Sequence, residues 1–104
     1  MSTTALKLVT IYANISIADE VLEAFRALGV AHYTQFPRIV GVGPATGPRL
    51  DSHVWPGANT GFQVVADETV VAKLMDCLEK MRASDLGRQS GLYAFQTPVE
   101  RALA

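Results

Sequence analysis

The residues of this sequence that could bind a ligand or a metal fall largely in one segment, residues 43–60. This stretch is rich in proline and glycine and contains Asp51, His53 and Trp55. A neutral histidine and a carboxylate are ligands for a divalent metal, although two ligands do not define a site. A tryptophan in a polar loop gains free energy only where something covers its large apolar surface. Trp55 therefore either packs back on its own domain or anchors a partner, as tryptophan often does at interfaces.

A second kind of chemistry, anion binding, is indicated by glycines that flank two segments. In the first segment, Gly41, Gly43 and Gly47 let the backbone turn sharply and present N–H groups. In the second, residues 87–91, a guanidinium and a hydroxyl lie between two glycines. Backbone N–H groups combined with an arginine are what a phosphate-like anion requires. The residues predicted to hold such an anion are Gly41, Gly43, Gly47, Arg88, Ser90 and Gly91, with Arg101 in the tail as a further contact.

Signatures of catalysis are missing from the sequence: it has no Gly-x-Ser-x-Gly, no P-loop and no histidine pair at ligand spacing. Cys77 lies one position from the apolar stripe of a predicted helix, which is typical of an inert cysteine. His32 has no neighbouring acid or nucleophile. We therefore expect no catalytic residue and no enzymatic activity. The alternative, a small enzyme such as a dimeric oxygenase or isomerase, would use His32 or His53 as its base.

Composition limits the class of protein. The length of 104 residues predicts a single domain over 1–104. With 49% apolar residues, 18% charged residues and a formal net charge of -1, the composition excludes intrinsic disorder and a nucleic-acid-binding arm. One cysteine excludes an internal disulfide. The sequence shows neither a bilayer-spanning apolar run nor a signal peptide at its start, so we expect a cytoplasmic protein.

The elements that must position these residues form two similar halves. In the first half, residues 7–13 read as a strand and residues 16–28 as an amphipathic helix, with Ser16 as its N-cap and Gly29 just past its end. An extended segment, residues 31–42, follows, and Pro37 within it indicates an edge or broken strand.

The second half repeats this order after the long loop of residues 43–60. Residues 61–66 read as a strand, Asp67 as the cap of a helix that reaches about Met81, and residues 83–91 as a second loop. A last strand over 92–97 is expected to stop at Pro98.

Two strand–helix–strand units in tandem predict an α+β, ferredoxin-like fold, in which a four-stranded antiparallel sheet carries both helices on one face. The strands are apolar on both sides: Leu8 and Tyr12 alternate with Val9 and Ile11, for example. Since a half-solvated sheet would be polar on one side, we expect copies of this chain to cover the second face. Alternatively, the tail, with Val99, Ala102 and Leu103, folds over part of it.

Over residues 6–97 the sequence resembles the PII family of signalling proteins and its broader PII-like superfamily. The best local match is Gly41-Val42-Gly43-x-x-x-Gly47, which is similar to the family's glycine pattern before its mobile loop, and His53-Val54-Trp55-Pro56-Gly57-Ala58-Asn59 resembles a motif of the divergent PII-like branch. The resemblance implies a compact homotrimer whose long loop, about residues 43–60 here, contacts the regulated protein. It also implies that a small effector, usually an adenine nucleotide, sits between subunits.

The sequence departs from true PII proteins at three places. Pro44-Ala45 replaces Arg-Gln after the glycines, Arg88-Gln89-Ser90-Gly91 stands where the family has Gly-Asp-Gly-Lys, and no tyrosine lies between residues 43 and 60, so uridylylation is not implied. Our leading hypothesis is a non-enzymatic PII-like regulator that binds an effector, such as ADP, AMP or ATP, and docks on a transporter or enzyme. The predicted docking residues are Arg49, His53, Trp55 and Asn59. The rival, suggested by the related cation-tolerance CutA proteins, is a trimeric metal-binding protein that uses His53 and Asp51.

Overall fold

Strand, helix and strand alternate twice along the chain. A computed structural model describes residues 5–40, 59–84 and 91–104. The elements are β1 (Leu6–Asn14), a short 3-10 helix (Ile15–Ile17), α1 (Ala18–Ala27), β2 (Thr34–Ile39), β3 (Asn59–Asp67), α2 (Glu68–Ala83) and β4 (Tyr93–Val99). All four strands form one antiparallel sheet in the order β2-β3-β1-β4. The predicted ferredoxin-like fold is confirmed.

The core lies between one face of this sheet and the two helices. Because side chains alternate along a strand, Val9 and Ile11 of β1 point to the same face as their partners Val64 and Phe62 of β3. On the helix side, the ring of Phe25 in α1 meets Phe62 edge-on, with centroids 5.5 Å apart. The other fully buried apolar side chains on this side include Ile17, Val21, Val71, Leu74, Leu78 and Leu92. Both helices therefore cover the same sheet face, as predicted.

The start of the first helix differs from its prediction. The side chain of Asn14, not of Ser16, caps this turn: its Oδ1 accepts a hydrogen bond from the Ser16 backbone N–H at 2.8 Å. Asn14 is also the last residue of β1, so the chain turns into a 3-10 helix at once and α1 begins only at Ala18. Because the 3-10 helix follows β1 directly, the capping residue lies two positions before the predicted one.

The end of this helix follows its prediction. Gly29 has φ of +75°, a left-handed conformation that glycine adopts without steric cost. This geometry lets the N–H of Val30 donate to the carbonyl of Phe25 at 2.8 Å, and that of Gly29 to Arg26 at 3.2 Å. These two bonds form a Schellman motif, which satisfies carbonyls that the helix end would otherwise leave unpaired.

The limits of the strands differ from those predicted, by one residue at each end of β1 and by more in the other strands. β2 is shorter than residues 31–42, and β3 begins at Asn59 rather than residue 61 because Asn59 pairs with Asn14 and Ile39 on its two sides. β4 continues through Pro98 to Val99 instead of ending before the proline. This is possible because β4 is an edge strand, where a proline nitrogen can point away from the sheet.

The second helix begins where predicted. Asp67 is its N-cap, and Oδ1 of Asp67 accepts a hydrogen bond from the N–H of Val70 at 2.9 Å. The cap also places a negative charge at the positive end of the helix dipole. Neither α1 nor α2, the α-helices of the described residues, has the length and hydropathy needed to cross a bilayer.

Replacing Asp67 with alanine should lower the free energy of unfolding by about 1 kcal/mol, because one N–H in the first turn of α2 loses its partner. Urea denaturation at one fixed protein concentration measures the change. Asp76→Ala is the matched control, since Asp76 is exposed in the middle of the same helix and should change stability by less than about 0.5 kcal/mol. Equal losses in both variants would contradict the assigned cap.

Candidate functional site

The two segments predicted to bind the effector are attached at the same end of the sheet. β2 ends at Ile39 before the first segment, and β3 resumes at Asn59, which pairs with both Ile39 and Asn14. β4, which follows the second segment, starts at Tyr93 opposite Tyr12, two residues from the same end of β1. Antiparallel pairing around β1 therefore brings together the ends of both segments, although they are far apart in sequence.

A β-bulge forms the last part of β2 at this end. Phe36 pairs with Gly61 and Ile39 pairs with Asn59, so Pro37 and Arg38 together oppose the single residue Thr60. Thr60 is fully buried, and its hydroxyl donates to the carbonyl of Phe36 at 3.0 Å while accepting from Nε2 of Gln35 at 3.2 Å. The Thr60 hydroxyl thus ties β2 to β3 where the regular ladder is interrupted.

The long loop predicted over residues 43–60 includes Thr60, whereas Thr60 lies in β3 and ties it to β2. A signal was available, because Thr60 continues the alternation of Phe62, Val64 and Ala66 toward the helix-covered face. A β-branched residue in phase with an apolar strand favours extending that strand.

The second segment is bounded by a helix end and a glycine. At the end of α2 the hydroxyl and the backbone N–H of Ser84 both donate to the carbonyl of Met81, at 2.6 and 3.2 Å. Gly91 has φ of +68°, and the next residue, Leu92, is buried in the core. Gly91 therefore supplies the left-handed turn that returns the chain to the sheet.

Few of the predicted site residues lie in the part of the chain that the structure describes. Asn59 is half-buried in β3, Gly91 precedes β4, and Arg101 is exposed in the tail. Gly91 precedes β4 and Arg101 follows its far end, and β4 alone spans about 20 Å from Tyr93 to Val99, so one chain does not bring the two residues together. Outside the described residues are Gly41, Gly43, Gly47, Arg49, Asp51, His53, Trp55, Arg88 and Ser90.

The described candidates for other chemistry have ordinary surroundings. His32 is exposed and precedes β2 at the end away from Ile39, so it does not line an apolar pocket. Cys77 is half-buried and packs against the core from α2. Among residues 5–40, 59–84 and 91–104, no three metal-ligating side chains come together.

The sheet face opposite the helices is open and mostly apolar, with Gln63 and Thr97 as polar side chains between its apolar ones. An aromatic cluster of Tyr12, Tyr93 and Phe95 has ring centroids 5.9 to 6.3 Å apart, and each side chain is 38 to 40% exposed. On this face Asp67 is the one charged residue of β1, β3 and β4, and its carboxylate caps α2. Other exposed apolar side chains on the same face are Leu6, Phe36 and Val65.

The tail does not cover this open face. Residues 101–104 are all exposed, and Leu103 is 86% exposed. Val99 belongs to β4 and is half-buried. The alternative in which the tail shields the second sheet face is therefore wrong for the described residues. An apolar patch left open in this way is typical of a surface that another molecule covers.

No protein-family model and no curated protein matches the sequence at a significant level. The fold, in contrast, has clear counterparts among solved structures. A protein from Thermus thermophilus, assigned as a PII-like signalling protein, is 24% identical with a TM-score of 0.64, and the match covers 95% of this chain and 90% of that one. A protein of unknown function from Pediococcus pentosaceus is 18% identical with a TM-score of 0.67, covering 98% and 99%.

A third counterpart was solved with ligands. CPII from Thiomonas intermedia K12, bound to ADP and bicarbonate, is 17% identical with a TM-score of 0.64, and the match covers 93% of this chain and 90% of CPII. CPII has also been solved with ADP, AMP and bicarbonate together. At these identities the comparison establishes a shared fold: the chain has the ferredoxin-like architecture of PII-like proteins.

Substituting Thr60 with valine should loosen β2, because the carbonyl of Phe36 and the amide of Gln35 both lose their partner. Losing such a hydrogen bond costs about 0.5–1.5 kcal/mol, since Gln35 and Phe36 are exposed and water replaces part of what is lost. The rate of amide hydrogen exchange should increase more in β2, residues 34–39, than in β1. Thr69→Val, at an exposed position in the first turn of α2, should leave exchange in β2 unchanged. Unchanged exchange in both variants would show that the Thr60 hydroxyl does not hold β2.

Proposed function

We propose that this chain is a non-enzymatic, PII-like regulatory protein that assembles as a homotrimer. The observation that carries the proposal is the open apolar sheet face, with its cluster of Tyr12, Tyr93 and Phe95. Burying apolar surface contributes about 25 cal/mol per Å², so covering this face with other copies gives a strong driving force for association. The number of copies, three, is inferred from the resemblance to PII proteins.

An effector would bind in the cleft between neighbouring subunits, near the sheet end where both glycine-flanked segments are attached. Assembly creates such clefts at the border of each covered face, and both segments reach the same border in every copy. The residues proposed to hold the effector are Gly41, Gly43, Gly47, Arg88, Ser90 and Gly91. Arg101 lies at the opposite end of its own subunit, so it would contact an effector only from a neighbour.

An adenine nucleotide is the effector class that this residue set favours. Its phosphates would accept hydrogen bonds from glycine N–H groups and from the Arg88 guanidinium, which binds anions in a planar, two-pronged way. CPII, which shares the fold, was solved with ADP, AMP and bicarbonate, and these are the ligands to test first. Bicarbonate is itself an anion that an arginine and backbone N–H groups can hold.

Regulation would pass through residues 43–60, which join β2 to β3 in sequence. An effector that binds one arrangement of this segment more tightly than another shifts the population toward that arrangement. Arg49, His53, Trp55 and Asn59 would then contact the regulated transporter or enzyme. Tryptophan and arginine are the residue types that most often dominate binding at such contacts.

Assembly through the open face predicts the effect of a charge placed there. Wild-type protein should sediment with three times the 11.2 kDa mass of one chain, and Phe95→Glu should shift it to a single chain because a carboxylate would be buried in the interface. Ala27→Glu, on the exposed side of α1, is the control and should keep the wild-type mass. Circular dichroism verifies that both variants are folded.

A wild-type protein that sediments as one 11.2 kDa chain would remove the clefts and the proposal with them. A Phe95→Glu variant that keeps the wild-type mass would show instead that another surface mediates the assembly.

Nucleotide binding predicts a measurable role for Arg88. Titration calorimetry with ADP, AMP and ATP should detect binding, and Arg88→Ala should weaken it about 10- to 100-fold, which corresponds to a charged hydrogen bond of about 1.5–3 kcal/mol. Arg82→Ala removes an exposed arginine in the last turn of α2 and should leave affinity unchanged.

Absence of heat with all three nucleotides, with and without bicarbonate, would contradict the proposed effector class. Titration with zinc or copper then tests the metal-binding alternative, which predicts that His53→Ala abolishes binding.

A further inference from the structure

The sheet has a second surface able to associate with other chains, namely its two edges. In the sheet order, β2 and β4 are the outer strands, so within the described residues their outer sides carry backbone groups that no strand pairs. Such an edge is a template for pairing with another chain and leads to open-ended association. A protein that is to assemble through its open face has to prevent pairing at its edges.

Each edge strand contains one proline, whereas the central strands and the helices contain none. Pro37 lies in β2 and Pro98 in β4, and they are the two prolines in the part of the chain that the structure describes. Proline has no N–H and cannot donate to a β-ladder. The two strands are at opposite edges of the sheet, so each edge lacks one backbone N–H donor.

Pro98 weakens the β4 edge without ending the strand. It is paired with Lys7 of β1, and the strand continues to Val99. A proline is tolerated in a paired strand where its nitrogen faces away from the partner, so the nitrogen of Pro98 faces the outer edge. Since backbone groups alternate in direction, Ala94 and Gln96 face outward as well. Pro98 thus removes one of three consecutive outward donor positions.

Pro37 protects the β2 edge in a different way. It shares the bulge opposite Thr60 with Arg38, and both residues are exposed. A bulge twists an edge away from a regular partner, and an exposed charge opposes pairing with another strand. Only Thr34–Phe36 remain in continuous pairing before the bulge, which is too short a stretch to pair stably with another chain.

We propose that Pro37 and Pro98 confine association of this chain to its open sheet face by blocking strand pairing at both sheet edges. The contact that the two prolines exclude is one in which a second copy of the chain pairs its own edge strand with an edge of this sheet. Such a contact leaves a new free edge, so when its rotation does not close a ring, repeating it would produce a growing chain of subunits. In identifying the open face as the surface for assembly, this inference rests on the proposed function.

The test restores the missing donor at each edge separately. Pro98→Thr and Pro37→Thr are compared with the wild type by analytical ultracentrifugation over a range of protein concentrations. We expect each variant to reach a weight-average mass at least twice that of the wild type at the highest concentration. For Pro98→Thr, the new amide at position 98 should exchange rapidly in dilute solution and become protected as the mass increases.

Gln96→Thr is the matched control, because it raises β-propensity at an outward position of the same strand without adding a donor. It should keep the wild-type mass. The double variant Pro98→Thr/Gln96→Lys should also return to the wild-type mass, since an exposed lysine opposes edge pairing. Should Pro98→Thr not fold, Pro37→Thr provides an independent reading at the opposite edge.

The proposal is overturned if the folded proline variants keep the wild-type mass at every concentration, or if Gln96→Thr grows as much as they do. These readings are separate from the test of the proposed function. The wild-type mass alone reports whether the open face assembles, and the proline variants are judged by growth beyond that mass, whatever it is.

Discussion

The alternation of side chains along β1 is the constraint on which the rest of the structure depends. Val9 and Ile11 point to one sheet face and Tyr12 to the other, and all three are apolar or aromatic. The two helices cover only the first face, where Phe25 packs on Phe62. A strand cannot turn both of its faces toward the same layer. The chain therefore folds with one apolar face buried and one left for another molecule, and this accounts for the proposed assembly.

The same sheet also determines where the proposed effector would bind. β1 is central, and its antiparallel neighbours β3 and β4 both begin beside its last residues, near Asn14. The two glycine-flanked segments are thereby tied to one end of the sheet, with Thr60 fastening β2 beside them. The fold therefore provides a hydrogen-bonded border for these segments, and PII-like proteins such as CPII share this architecture.

The open face and the sheet edges have opposite effects on the association of this chain with other copies. The face is apolar and lacks charge between the strand ends, which favours association. The edges carry Pro37 in a bulge and Pro98 in a paired strand, which disfavour it. In the assembly that we propose, these features together would direct copies of the chain toward a closed oligomer, in which faces are covered and edges do not propagate.

The sequence alone determined the element order and the fold class, because apolar periodicity and end signals such as Asp67 and Gly29 are local. The tertiary structure decided what depends on partners distant in sequence. Asn59 and Thr60 became strand residues because β1 and β2 pair with them, and Pro98 stayed in β4 because that strand is at an edge. Loop chemistry could be proposed from residue types, but the convergence of the two segments follows from the strand order, which local patterns do not encode.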